Sequence, residues 1–98
     1  MPLAEAIDTS PVKAAFERTP NVSEITTTVS GTRVAIRDLG GGLYRFFLGD
    51  QLTPKKIITV SPTGTITRVE TPGPVVSAEP TPGDYQEVRD AVNQLSKN

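Results

Sequence analysis

Residues 25–29 and 32–36 alternate apolar and polar side chains on either side of Ser30-Gly31, and that pattern admits only one pairing. Ser-Gly suits a two-residue primed hairpin turn. Closed there, Val29 faces Thr32, Thr27 faces Val34 and Ile25 faces Ile36 on one side. On the other side Thr28 meets Arg33, Thr26 meets Ala35 and Glu24 meets Arg37. A slip of one residue would carry the apolar set to the opposite face, so burial of that face fixes the register. Few folds accommodate such a hairpin except as part of a larger antiparallel sheet.

The flanking sequence supplies that sheet. Gly40-Gly41-Gly42 interrupts the pattern, and residues 43–48 then form the most apolar segment of the chain. Tyr44, Phe46 and Leu48 share one face; Leu43, Arg45 and Phe47 share the other. Such a strand is central, with partial cover on its second face. A further hairpin joins residues 55–60 to 65–70 through Ser61-Pro62-Thr63-Gly64, a type I turn followed by a left-handed glycine. The expected pairs are Val60 with Ile66, Thr59 with Thr67, Ile57 with Val69 and Lys56 with Glu70. The strands make a five-stranded antiparallel meander.

A helix is expected at each end. Ser10 reads as an N-cap with Pro11 at the first helical position, and Val12, Ala15 and Phe16 form one apolar stripe. Pro20 ends that helix by disfavouring helical geometry at Thr19. Residues 1–9 read as a tail, or as a short helical face shared by Leu3 and Ile7. Residues 71–83, rich in proline and glycine, read as a stiff crossing with Val75 and Val76 as anchors. Asp84 then caps a last helix, with Glu87 completing an acidic capping box. Its apolar positions, Tyr85, Val88, Val92 and Leu95, form a narrow seam. The whole of 1–98 is one small α+β domain of two layers, with a partly closed barrel as the alternative.

Chemistry is constrained by what is missing. With no histidine and no cysteine, the chain lacks the commonest general base, thiol nucleophile and zinc ligands. Ten cationic and eleven anionic side chains nearly cancel, leaving no general attraction to nucleic acid or anionic membrane. No apolar run approaches the length of a membrane span, and the first residues lack a signal-peptide pattern, so a cytoplasmic location is expected. The triple glycine lacks P-loop spacing and leads into a strand, which suits a hairpin connection better than a phosphate cradle. Asp38, Asp50, Glu70, Glu79 and Asp84 sit in or near turns without hydrolase pairing, and Asp in turns has a local role. Thr26, Thr27 and Thr28 have no activating base nearby, and Tyr44 and Tyr85 belong to no recognisable acid–base site.

Three readings follow. The first is a non-enzymatic interaction, regulatory or accessory module that binds another protein, or a small subunit of a larger assembly. Its docking element is an open strand edge or the seam Tyr85, Val88, Val92 and Leu95, and either can also join two copies of the chain. The second, less favoured, is single-stranded nucleic-acid binding by a basic and aromatic sheet face of Arg33, Arg45, Arg68 and Tyr44. The third is small-ligand binding or a carboxylate-based enzyme, which needs a concave pocket with convergent polar groups. No cofactor and no metal are expected.

Overall fold

Ser30 and Gly31 both take positive φ, 50° and 81°, as a primed turn requires. The hairpin they close has the expected register throughout, from Glu24 opposite Arg37 to Val29 opposite Thr32. The computed structural model describes residues 6–49, 53–71 and 80–96. It contains α1 (Ser10–Arg18), β1 (Glu24–Val29), β2 (Thr32–Asp38), β3 (Tyr44–Gly49), β4 (Pro54–Val60), β5 (Ile66–Glu70) and α2 (Pro82–Ser96). The strands form one antiparallel sheet in the order β1-β2-β3-β4-β5, the expected meander. Residues 1–5, 50–52, 72–79 and 97–98 lie outside the described residues. They include Leu3, Asp50, Val75, Val76, Glu79 and most of the proline-rich crossing.

Alternation along each strand sorts the side chains into two faces. One carries Val34 and Ile36 of β2, Tyr44, Phe46 and Leu48 of β3, Ile58 and Val60 of β4, and Ile66 and Val69 of β5, all buried. Val12 and Ala15 of α1, and Val88, Ala91, Val92 and Leu95 of α2, complete that core. Both helices therefore cover the same face of the sheet, giving an α+β fold of two layers. The seam of α2 is spent inside the chain. Among the described residues, no helix is long and apolar enough to cross a membrane.

Four local expectations are corrected. The second hairpin keeps Val60 opposite Ile66, but then Thr59 meets Arg68, Ile58 meets Val69 and Ile57 meets Glu70. A bulge places Thr67 and Arg68 together opposite Thr59. Strict alternation from Ile66 would have turned Arg68 inward and Val69 out; the extra residue reverses this and buries Val69. Lys56 consequently never meets Glu70. It lies on the helix side and bonds Asp84 at 2.7 Å and Glu87 at 2.8 Å.

Helix α2 begins earlier than expected. Thr81 is its cap: the Thr81 Oγ1 accepts from the Asp84 amide at 3.3 Å, and Asp84 Oδ2 accepts from the Thr81 amide at 2.9 Å. Pro82 occupies the first helical position, where its missing N–H costs nothing. The reciprocal pair is thus Thr81 and Asp84, not Asp84 and Glu87. At α1 the cap position is Thr9 rather than Ser10, with Asp8 Oδ1 accepting from the Ser10 amide at 3.0 Å.

Residues 6–9, the described part of the segment before α1, are not helical, and Ile7 is buried in the core. Its amide donates to the Gly64 carbonyl at 2.8 Å. Gly64 has φ +86°, and a Cβ there would overlap the Ile7 backbone oxygen and sit 2.8 Å from its nitrogen. Glycine is required twice over, by conformation and by space.

Candidate functional site

The second face of the sheet bears the strand residues that alternate with the core. Reading across it, Thr26 pairs with Ala35, Ala35 with Phe47, Phe47 with Ile57 and Ile57 with Glu70. The next row runs Glu24, Arg37, Arg45, Thr59 and Arg68. Toward the other end Arg33 and Lys55 line a shallow depression with Gly31, Thr32 and Gly49. Neighbouring strands are about 4.8 Å apart, so the apolar middle is a stripe a few strands wide between two basic margins. Among the described residues, neither helix covers this face.

The charges are unevenly matched. Five of the ten cationic residues of the chain, Arg33, Arg37, Arg45, Lys55 and Arg68, belong to this face. Its carboxylates are Glu24, 3.9 Å from the Arg37 Nε, and Glu70, 3.1 Å from the Arg68 Nε. Arg37 also lies over the Phe47 ring, 6.0 Å from its centroid, in a cation–π contact. Arg33, Arg45 and Lys55 have no ion-pair partner among the described residues.

A second feature sets this face apart. The Arg45 Nε and the Thr59 Oγ1 are both buried without a hydrogen-bond partner. They belong to cross-strand neighbours. Buried polar groups in folded proteins are almost always bonded, because an unbonded one costs about 1–3 kcal/mol. Two such atoms side by side on a charged, half-apolar surface mark a place where the fold is not at its most stable for its own sake.

The residues singled out from sequence divide cleanly. Arg33, Arg45 and Arg68 come together on this face. Tyr44 does not: it directly precedes Arg45 in β3, so it points to the helices and is buried. Its place as the aromatic of the face falls to Phe47, two residues beyond Arg45. Val88, Val92 and Leu95 are buried against the chain's own sheet, and Tyr85 accepts a hydrogen bond from the Ile66 amide at 3.2 Å. Sequence reasoning placed Phe47 on the face of Arg45 without singling it out as a site residue, and it passed over Ile57 and Thr59 as site residues. Phe47 and Ile57 follow from alternation once β3 and β4 are in register; the unbonded Thr59 hydroxyl has no sequence signal at all.

The strongest ionic cluster lies on the helix side. Burial pushes the Asp84 carboxyl up, but bonds from Lys56 and Thr81 outweigh it and hold its pKa below the ordinary 3.8. Burial likewise pushes the Lys56 ammonium down, and bonds to Asp84 and Glu87 carry it above the ordinary 10.5. These groups tie β4 to the first turn of α2. Among the described residues, no group of three or more acidic side chains is placed to hold a metal ion. No family model, no curated protein and no solved structure matches this chain.

Proposed function

We propose that this chain is a non-enzymatic interaction module that binds another protein through the helix-free face of its sheet. The observation that carries the reading is that Arg33 and Lys55 on one margin and Arg45 on the other, none ion-paired among the described residues, flank the half-buried Phe47 and Ile57, with Ala35 buried beside them. Arginine and aromatic anchors beside an apolar centre are the composition of binding hot spots. Glu24 and Glu70 at the margins, and a net charge of −1, favour a protein surface with its own mixed rim over a polyanion. The complementary partner presents carboxylates around an apolar centre. The absence of histidine and cysteine supports a binding role over catalysis.

Capture from native extract after nuclease treatment, with wild type beside Phe47→Asp and Arg45→Glu, tests the reading. A protein held by wild type and lost by both variants is the expected result. A protein retained equally by all three removes the sheet face from the interaction. Single-stranded nucleic acid remains the second reading, because Arg33, Arg45 and Arg68 do share one face. Capture that vanishes with nuclease would favour it.

A further inference from the structure

A cleft of about 580 Å³ opens at the far end of the sheet, between α1 and the loop joining β2 to β3. Glu17 and Phe16 of α1, Asp38 at the end of β2 and Tyr44 at the start of β3 line it, with Gly40 to Gly42 as its rim. Tyr44 is only 5% exposed and stacks on Phe16 with ring centroids 6.0 Å apart and planes 11° apart. Its hydroxyl has no hydrogen-bond partner among the described residues. Asp38 uses Oδ1 to accept the Gly40 amide at 2.8 Å, which leaves its second oxygen available. Glu17 has no ion pair among the described residues.

Two carboxylates and one ammonium line the cleft, so its net charge is negative. Burial first, then the charges of Asp38 and Glu17, hold the Tyr44 hydroxyl above its ordinary pKa of 10.0. At neutral pH it is an uncharged oxygen in a cleft that two carboxylates also line. Val22, 48% exposed, adds an apolar lip. Three oxygen acceptors beside aromatic and aliphatic surface match a cation that ends an apolar stem. Lys13 at the rim carries the opposing charge.

We propose that this cleft binds a primary ammonium group on a short apolar stem, supplied by a free alkylamine or by a lysine side chain of a partner. The site lies on the helix side of the sheet and does not rest on the sheet-face reading.

Titration of the full chain, followed by amide chemical shifts, tests it. The probes are n-butylammonium, N-acetyl-lysine amide and butyrate at matched ionic strength. Saturable shifts at Gly40, Gly41, Gly42 and Tyr44 with the two amines, and none with butyrate, are expected. Glu17→Gln, an exposed substitution, should weaken amine binding about fivefold, the upper end for one exposed charge pair. Tyr44→Phe should weaken it by a smaller factor, and Lys13→Gln should tighten it. Tighter binding of acetyl-lysine amide than of butylammonium identifies the source as a side chain; the reverse identifies a free amine. Shifts that rise without saturation, equal affinity in Glu17→Gln, or equal binding of butyrate would overturn the proposal.

Discussion

Phe46 and Phe47 are neighbours in the chain and opposites in the fold. Phe46 is fully buried between the sheet and the helices; Phe47 is half-buried on the other side, beneath Arg37. The same division runs through Tyr44 and Arg45, and through Ile58 and Ile57. On the helix side every strand contributes to one continuous core, and the charged groups against it, Asp84 and Lys56, bond each other. On the other side Arg33 and Arg45 stand unpaired among the described residues, and two buried polar atoms have no partner. One face holds the core and the bonded cluster of Lys56, Asp84 and Glu87, while the other keeps three cations without an ion pair among the described residues. The lesson is that residue type alone does not separate core from binding surface in a strand; position relative to the register does.

Truncating both phenylalanines separates the two faces by the largest margin. Phe46→Ala should cost about 3–5 kcal/mol, the usual loss for an aromatic removed from a packed core. Phe47→Ala should cost about 1 kcal/mol in stability, as half-exposed sites do, while abolishing partner capture. Urea unfolding of the two variants measures this. Equal losses would mean that both faces are structural.

Gly64→Ala probes the edge of the covered face. A methyl group there would meet the Ile7 backbone and demand a left-handed alanine. The loss should be at least about 2 kcal/mol, because strain and overpacking add. Gly31→Ala shares the positive φ but meets nothing within 4 Å, so it should cost only about 1 kcal/mol. Thermal unfolding of the pair separates space from conformation.

The ionic link on the helix side gives a pH signature. The folded Asp84 pKa lies below its ordinary 3.8, so the unfolded chain takes up this proton first as pH falls. Its contribution is complete above about pH 5 and is lost through the acid range below. The folded Lys56 pKa lies above its ordinary 10.5, so that contribution is complete below about pH 10 and is lost as pH rises further. Wild-type stability measured across both limits should fall at each. Lys56→Met should flatten the alkaline limb and shrink the acid one. An unchanged alkaline limb would mean that Lys56 does not hold β4 to α2.

Much of the covered face was legible in the sequence. A two-residue turn with strict alternation fixes the first hairpin down to individual pairs, and the same period places Tyr44, Phe46 and Leu48 in the core. The second hairpin was legible only to its turn. Ile66 and Val69 are three apart, an odd spacing that no straight strand can bury on one face, and that mismatch is the signal for the bulge at Thr67. The cap of α2 was hidden because Pro82-Gly83 reads as linker, although Thr81-Pro82-Gly83-Asp84 is a complete capping box. For the binding face, Arg33, Arg45 and Arg68 were visible as basic strand positions. Grouping Tyr44 with them ignored that adjacent strand residues point apart. The unbonded atoms of Arg45 and Thr59 depend on how side chains settle in three dimensions, which no linear pattern encodes.

Thr59→Val is the smallest change and the most discriminating. Valine has nearly the shape of threonine without the hydroxyl, so the substitution removes a buried polar atom that bonds to nothing. Removing a bonded buried group, such as the Asp84 carboxylate on the covered face, would destabilise. Here the substitution should stabilise the free protein by about 1 kcal/mol, the lower end of the cost of an unsatisfied buried group. Partner affinity should fall at the same time if docking shifts Arg45 and gives the hydroxyl its bond. Differential scanning calorimetry and the capture assay read the two effects separately. A stabilised variant with unaltered capture would make the Thr59 hydroxyl a local defect and leave the charge arrangement as the whole basis of the site. A destabilised variant would mean that the hydroxyl is satisfied in solution, and the contrast between the two faces would then rest on the unpaired arginines alone.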